Sequence, residues 1–94
     1  MEDIVEVFGA LSSEPRLRII QALKEKPLCV NALARRLGMR QSAISQHLRV
    51  LRSAGLVKSE KKGYWVHYSL DGENLGHLRS VLHSLLRMSD ERFG

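Results

Sequence analysis

Between positions 40 and 53 the chain sets out hydrogen-bonding side chains at helical intervals: Arg40, Gln41, Ser42, Ser45, Gln46, Arg49, Arg52 and Ser53. Glutamine can pair through two hydrogen bonds with adenine, arginine with guanine, and serine with either donors or acceptors. On a helix turning about 100° per residue, Ile44, Leu48 and Leu51 fall within about 60° of one another, with Ser42, Ser45, Gln46, Arg49, Arg52 and Ser53 opposite. One side of such a helix packs and the other can read base edges. Gln41, Ser42, Ser45 and Gln46 lie toward the N-terminal end, which a recognition helix presents to the major groove. No aspartate or glutamate occurs between Arg35 and Lys58, whereas an ordinary solvated helix mixes both signs to gain pairs four residues apart.

Charge distribution points the same way. The net charge is +5, and residues 35 to 62 hold eight basic side chains against Glu60 alone, so the whole excess sits in one central block. A concentrated basic stripe is the footprint of a polyanion-binding face. Within it Arg36, Lys58, Lys61 and Lys62 suit phosphate or the edge of the minor groove, adding affinity more than sequence information. His47 projects about 60° from the centre of the apolar side and is expected to pack rather than read bases. Trp65 is expected either to buttress its hairpin or to cover part of a subunit interface.

Other chemistry is thinly represented. Cys29 is the single cysteine of 94 residues, so no internal disulfide can form, and it reads as a small interior side chain. Oxidation, or pairing with a symmetry mate, is the alternative role for that thiol. No paired carboxylates, nucleophile with a base, or glycine-rich phosphate loop occurs, which argues against an enzyme. His77 and His83 are six apart and point to roughly opposite sides of a helix, so they cannot chelate one ion together, although a site across two subunits with Glu73 is conceivable. No metal or cofactor is expected. The N-terminus, "MEDIVEVFGA", is acidic where a secretory signal is basic, and no run approaches the about eighteen apolar residues of a membrane span. A cytoplasmic protein is expected.

The elements that position these residues follow from periodicity. Hydrophobic content of 44% and charge of 27% are those of a folded chain, and its length suits one domain over residues 1–94. Ile4, Val7, Phe8 and Leu11 space a first helix. Ser13, Glu14 and Pro15 open a second, with Leu17, Ile20 and Leu23 as its buried stripe and Pro27 beyond its end. Asn31 is the expected N-cap of a third helix carrying Leu33, Ala34 and Leu37 and closed by Gly38. After "GMR" comes "QSAISQHLRVLRSAG", a fourth helix closed by Gly55. Two short helices about a tight glycine turn make a helix-turn-helix.

The period then changes. "LVKSEKKGYWVHYSL" contains two β-prone runs around "EKKG", with Tyr64, Val66, Tyr68 and Leu70 alternating with Trp65, His67 and Ser69, which predicts a hairpin with lysines at its tip. Leu75, Leu78, Leu82 and Leu85 form a seam on a last helix narrow enough to suit packing against another helix of like kind. With Ile4, Phe8 and Leu11 they are the candidate dimer interface. The expected fold is mostly α with a β-hairpin wing, a winged helix-turn-helix in the order α-α-α-α-β-β-α, homodimeric through its first and last helices.

In "LSSEPRLRIIQAL", "LCVNALARRLGMRQSAISQHLRVLRSAGLV" and "KKGYWVHYSL" the sequence resembles the ArsR/SmtB family over nearly its whole length. The resemblance implies a homodimeric repressor that occupies an inverted repeat in double-stranded DNA and leaves it when an inducer binds. The family's heavy-metal sensors carry a Cys-Val-Cys motif with a further cysteine shortly after; here Cys29 matches the first, but Asn31 and Ala34 stand where the other thiols would be. One thiolate cannot make a trigonal sulfur site. The ligand set that the resemblance implies for the last helix is also incomplete, so the sequence leaves open both the chemistry of an inducer and whether there is one. The competing reading is a winged-helix protein-interaction module that docks an acidic partner without reading DNA.

Overall fold

A computed structural model describes residues 4–87. Five helices and one hairpin follow the expected order: α1 Ile4–Leu11, α2 Glu14–Leu23, α3 Val30–Leu37, α4 Gln41–Ser53, β1 Val57–Lys62, β2 Trp65–Leu70 and α5 Gly72–Leu86. No described helix is long and apolar enough to cross a membrane. Side chains from all five helices and the start of the hairpin meet in one continuous core, in which Ile19, Leu33, Ile44, Leu48, Leu51 and Leu56 are fully enclosed.

Local signals place most boundaries. The Ser13 hydroxyl accepts from the Arg16 amide at the start of α2, satisfying one of the donors that a helix N-terminus leaves open. Gly38, at φ 68°, closes α3, and its left-handed backbone brings the Met39 amide back to the Ala34 carbonyl at 3.0 Å. Gly55 does the same for α4 at φ 79°, and a Cβ there would stand 2.9 Å from Asn74 Nδ2. The close approach is put to use, since Asn74 donates to the Gly55 carbonyl at 2.9 Å. Asp71 meanwhile caps α5 by accepting from the Asn74 amide. The start of the last helix is thereby fastened to the end of α4.

Three expectations need correction. The buried face of α2 is Ile19, Ala22 and Leu23, while Leu17 is 46% exposed and Ile20 lies half-buried. Ile19, Ala22 and Leu23 are themselves spaced three and four apart, so the helix offers two overlapping apolar stripes and the core takes this one; Arg16 is half-buried beside it, its Nε donating to the Ala10 carbonyl at 2.6 Å.

The N-cap of α3 is Cys29, not Asn31, and its side chain makes no capping bond. Backbone pairing sets that boundary. The Leu28 amide donates to Tyr68 O at 3.0 Å and the Tyr68 amide to Leu28 O at 2.8 Å, so the chain is held extended at Leu28 and turns into helix directly after. Asn31 sits one residue inside the helix, exposed.

The hairpin tip is the third correction. Lys61 and Lys62 belong to β1, opposite Val66 and Trp65, and the turn is Gly63 and Tyr64 alone. Gly63 has φ 64° while Tyr64 does not take a positive φ, the signature of a type II′ turn, whose twist matches that of the strands. A longer ladder pairs more backbone polar groups, which favours this two-residue connection over a four-residue one.

Candidate nucleic-acid interface

Helix α4 divides as its sequence implies. Ile44, Leu48 and Leu51 are buried, and Gln41, Ser42, Ser45, Gln46, Arg49, Arg52 and Ser53 are exposed or half-exposed on the other side. Burying three branched side chains contributes several kcal/mol, at about 1.5 to 3 kcal/mol each, so packing of the apolar side holds the polar face outward more strongly than any surface contact could oppose. Arg40, the N-cap residue, makes no side-chain capping bond and is exposed beside Gln41.

Two open clefts flank this face. One lies between α4 and β2, lined by Ser45, Arg49, Arg52, Ser53 and Tyr68 over Leu48. The other lies at the helix-turn-helix corner and includes Asn31, Arg35, Met39, Arg40 and Gln41. Arg35 and Tyr68 are additions to the residues that the sequence alone marks. The signal for Arg35 is its place in the basic block; for Tyr68 it is the alternation that puts it on the core-facing side of the hairpin.

The wing distributes its charge over both faces. Cross-strand partners share a face in an antiparallel pair, so Val57, Ser59 and Lys61 stand with Val66, Tyr68 and Leu70, the side that packs on the core. Lys58, Glu60 and Lys62 stand on the outer side with Ser69, His67 and Trp65. All three lysines are exposed. Arg36 is also exposed, but Nη2 donates to Glu25 Oε1 at 3.1 Å; a surface pair of this kind contributes about 0 to 1 kcal/mol and can be exchanged for a phosphate.

His47 takes no part in the outward face. Its Nδ1 lies 3.3 Å from Arg16 Nη1. A guanidinium can only donate, so Nδ1 accepts and the imidazole proton sits on Nε2. Burial, and next to it the Arg16 charge, hold the His47 pKa below the usual histidine value, keeping the ring neutral and packed.

The residues expected at a subunit interface separate into two groups. Leu78 is buried in its own chain, and Ile4, Leu11, Leu75 and Leu82 are half-buried against the same core. Phe8 and Leu85 remain exposed, the latter at 61%, and Val5 and Leu86 add exposed apolar surface that the heptad-like spacing does not mark. Trp65 is exposed as well.

Cys29 is half-buried, Ala34 is buried and Asn31 is exposed, and among the described residues no three His, Cys, Asp or Glu side chains gather around a point. The residues present do not fit a thiolate-rich metal site.

A helix-turn-helix whose second helix turns a polar, acid-free face outward, followed by a basic two-stranded wing, defines a winged-helix regulator. Comparison with known proteins carries this further. Residues 13–59 match the family described as "Bacterial regulatory protein, arsR family". The Synechocystis protein named "Transcriptional repressor SmtB homolog" is 38% identical over 89 residues, covering 95% of this chain and 67% of that one. The "Transcriptional activator HlyU" of Vibrio cholerae is 38% identical over 81 residues, covering 86% and 75%. Among solved structures, the homodimeric winged helix-turn-helix DNA-binding domain of Mb0332 from Mycobacterium bovis superposes with a TM-score of 0.76 at 28% identity, covering 89% of this chain and 78% of that one. This chain belongs to the arsR family of bacterial regulatory proteins. It is a regulator of transcription and not an enzyme.

Proposed function

We propose that residues 1–94 form one winged-helix domain that acts as a homodimeric, sequence-specific repressor on an inverted-repeat operator. The observation that carries this reading is the outward face of α4, where the hydrogen-bonding side chains reach solvent and no acidic residue intervenes. Gln41, Ser42, Ser45, Gln46 and Arg49 read base edges in the major groove. Arg36, Arg40, Lys58, Lys61 and Lys62 hold the flanking phosphates. Arg35 and Arg52 border the two clefts beside that face and join the phosphate set.

Dimerism is supported by the homodimeric Mb0332 domain and by the apolar surface left on α1 and α5. Release from the operator is assigned to no metal, because the thiol motif is incomplete. Repression rather than activation follows the SmtB-like relatives; HlyU shows that the same scaffold serves an activator.

The test is selection from a random duplex pool, followed by titration of the selected duplex. Arg49→Ala and Gln46→Ala should each weaken the selected site by about 1 to 3 kcal/mol and relax its sequence preference, and Lys62→Ala should weaken all duplexes alike. Selection of no preferred sequence, or wild-type behaviour of all three variants, would remove this assignment.

A further inference from the structure

We propose that Tyr64 is a sequence-selecting contact of the wing, inserted edge-on into the minor groove beside the α4 site, where it favours A·T over G·C pairs. This deepens the DNA-binding reading above and rests on it.

Tyr64 occupies the second position of the type II′ turn and is 99% exposed. Turn positions of this kind ordinarily carry small polar residues, so a phenol standing clear of the protein surface is out of keeping with a role in folding. Behind it Trp65, 58% exposed, and Val66, 39% exposed, lie on opposite faces of β2, so the tip is apolar on either side of the turn.

Charge selects the occupant. The rungs next to the turn are Lys62 opposite Trp65 and Lys61 opposite Val66. Alternation sends these two ammonium groups to opposite faces of the hairpin. The tip is therefore an aromatic wedge with a positive charge on either side. A minor groove is the complementary shape: about 6 Å wide, with a phosphate strand on each wall. An aromatic ring fits such a slot edge-on. Its hydroxyl can donate to adenine N3 or thymine O2, which every A·T pair offers in either orientation, whereas the guanine 2-amino group projects into the path of the ring. An apolar protein surface would match the ring but not the two lysines.

Position agrees with this use. The cleft between α4 and β2 has Arg49, Arg52 and Tyr68 along its walls, so the recognition helix and the wing border a common channel. A phosphate strand lying in that channel places the major groove on the α4 side and the adjacent minor groove at the wing.

The experiment uses the duplex selected by the wild-type protein, with the pairs flanking the α4 site replaced in turn by A·T, G·C and inosine·C. Inosine lacks the 2-amino group, so inosine·C shows A·T-like acceptors in the minor groove while keeping a G·C-like major groove. Wild-type protein should bind A·T and inosine·C flanks about tenfold more tightly than G·C flanks, within the usual range for one base pair. Tyr64→Ala should lose that preference and bind A·T flanks about tenfold more weakly, with unchanged thermal stability. Tyr64→Phe should retain discrimination against the 2-amino group while losing affinity for the acceptors. Lys62→Ala should weaken all flanks equally. Flank-independent binding by the wild type, or a preference that survives Tyr64→Ala, would overturn the assignment while leaving the α4 reading intact. Failure of the wild type to select any sequence would remove both.

Discussion

Arg16 Nη1 lies 3.3 Å from His47 Nδ1, while Arg16 Nε donates to the Ala10 carbonyl at 2.6 Å. One guanidinium on α2 thus joins the end of α1 to the middle of the recognition helix. The His47 end of this link requires a neutral ring. Because burial and then Arg16 lower its pKa in the folded chain, the unfolded chain takes up this proton first as acid is added. The link is intact above the ordinary value of 6.5; stability is lost as pH falls below it, and the loss is complete once the lower folded value has been passed. His47→Gln keeps an acceptor for Arg16 and removes the titration. Thermal melting of the two proteins across this range should show the variant gaining on wild type as pH falls, and a constant difference between them would refute the linkage.

The leucines of α5 have separable roles. Leu78 is 6% exposed and Leu85 61%, although both fall on the same three-and-four spacing. Leu78→Ala should destabilise the protomer itself by about 2 to 5 kcal/mol, the usual range for emptying an enclosed leucine site. Leu85→Asp should leave the protomer folded and lower the affinity of the proposed dimer. Sedimentation against concentration, with circular dichroism as the fold check, separates the two. A Leu85→Asp protein that dimerises as tightly as wild type would move the interface off this end of α5.

That distinction shows where sequence reading stops. Element order is legible because its signals are local: the Ser13 cap, the left-handed Gly38 and Gly55, the change of period after Leu56. The outward face of α4 is legible for the same reason, since one turn of helix suffices to separate Ile44 and Leu48 from Ser45 and Arg49. What escapes depends on contacts between distant segments. Pairing of Leu28 with Tyr68 starts α3 before Asn31, and packing against the other helices selects Ile19 over Leu17 from two overlapping apolar stripes of α2. Spacing alone also cannot tell Leu78 from Leu85, because burial depends on which neighbouring elements reach that height of the helix. At the wing the difficulty is of another kind. Both β-prone runs are recognisable, and Gly63 as the source of a positive φ in a short loop, but the runs alone do not show that Lys61 and Lys62 complete β1, and their alternation puts Tyr64 in a strand.

Arg36 offers a test of how much a surface ion pair restrains a phosphate contact. Its Nη2 is 3.1 Å from Glu25 Oε1, with side-chain exposures of 41% and 66%, so solvent screens the pair and its strength is about 0 to 1 kcal/mol. Binding DNA through Arg36 means exchanging that carboxylate for a phosphate. Glu25→Gln abolishes the competing charge, and duplex affinity should rise by at most about 1 kcal/mol for selected and random sequences alike. Full engagement of one more phosphate would steepen the logarithmic salt dependence by about 0.9. Removing a carboxylate near DNA could also act at long range, without Arg36, and the double variant separates these causes. If Arg36 transmits the effect, Glu25→Gln should have little influence in an Arg36→Ala background. An equal gain in both backgrounds would show that Glu25 acts through the general field and would take Arg36 out of the phosphate-binding set.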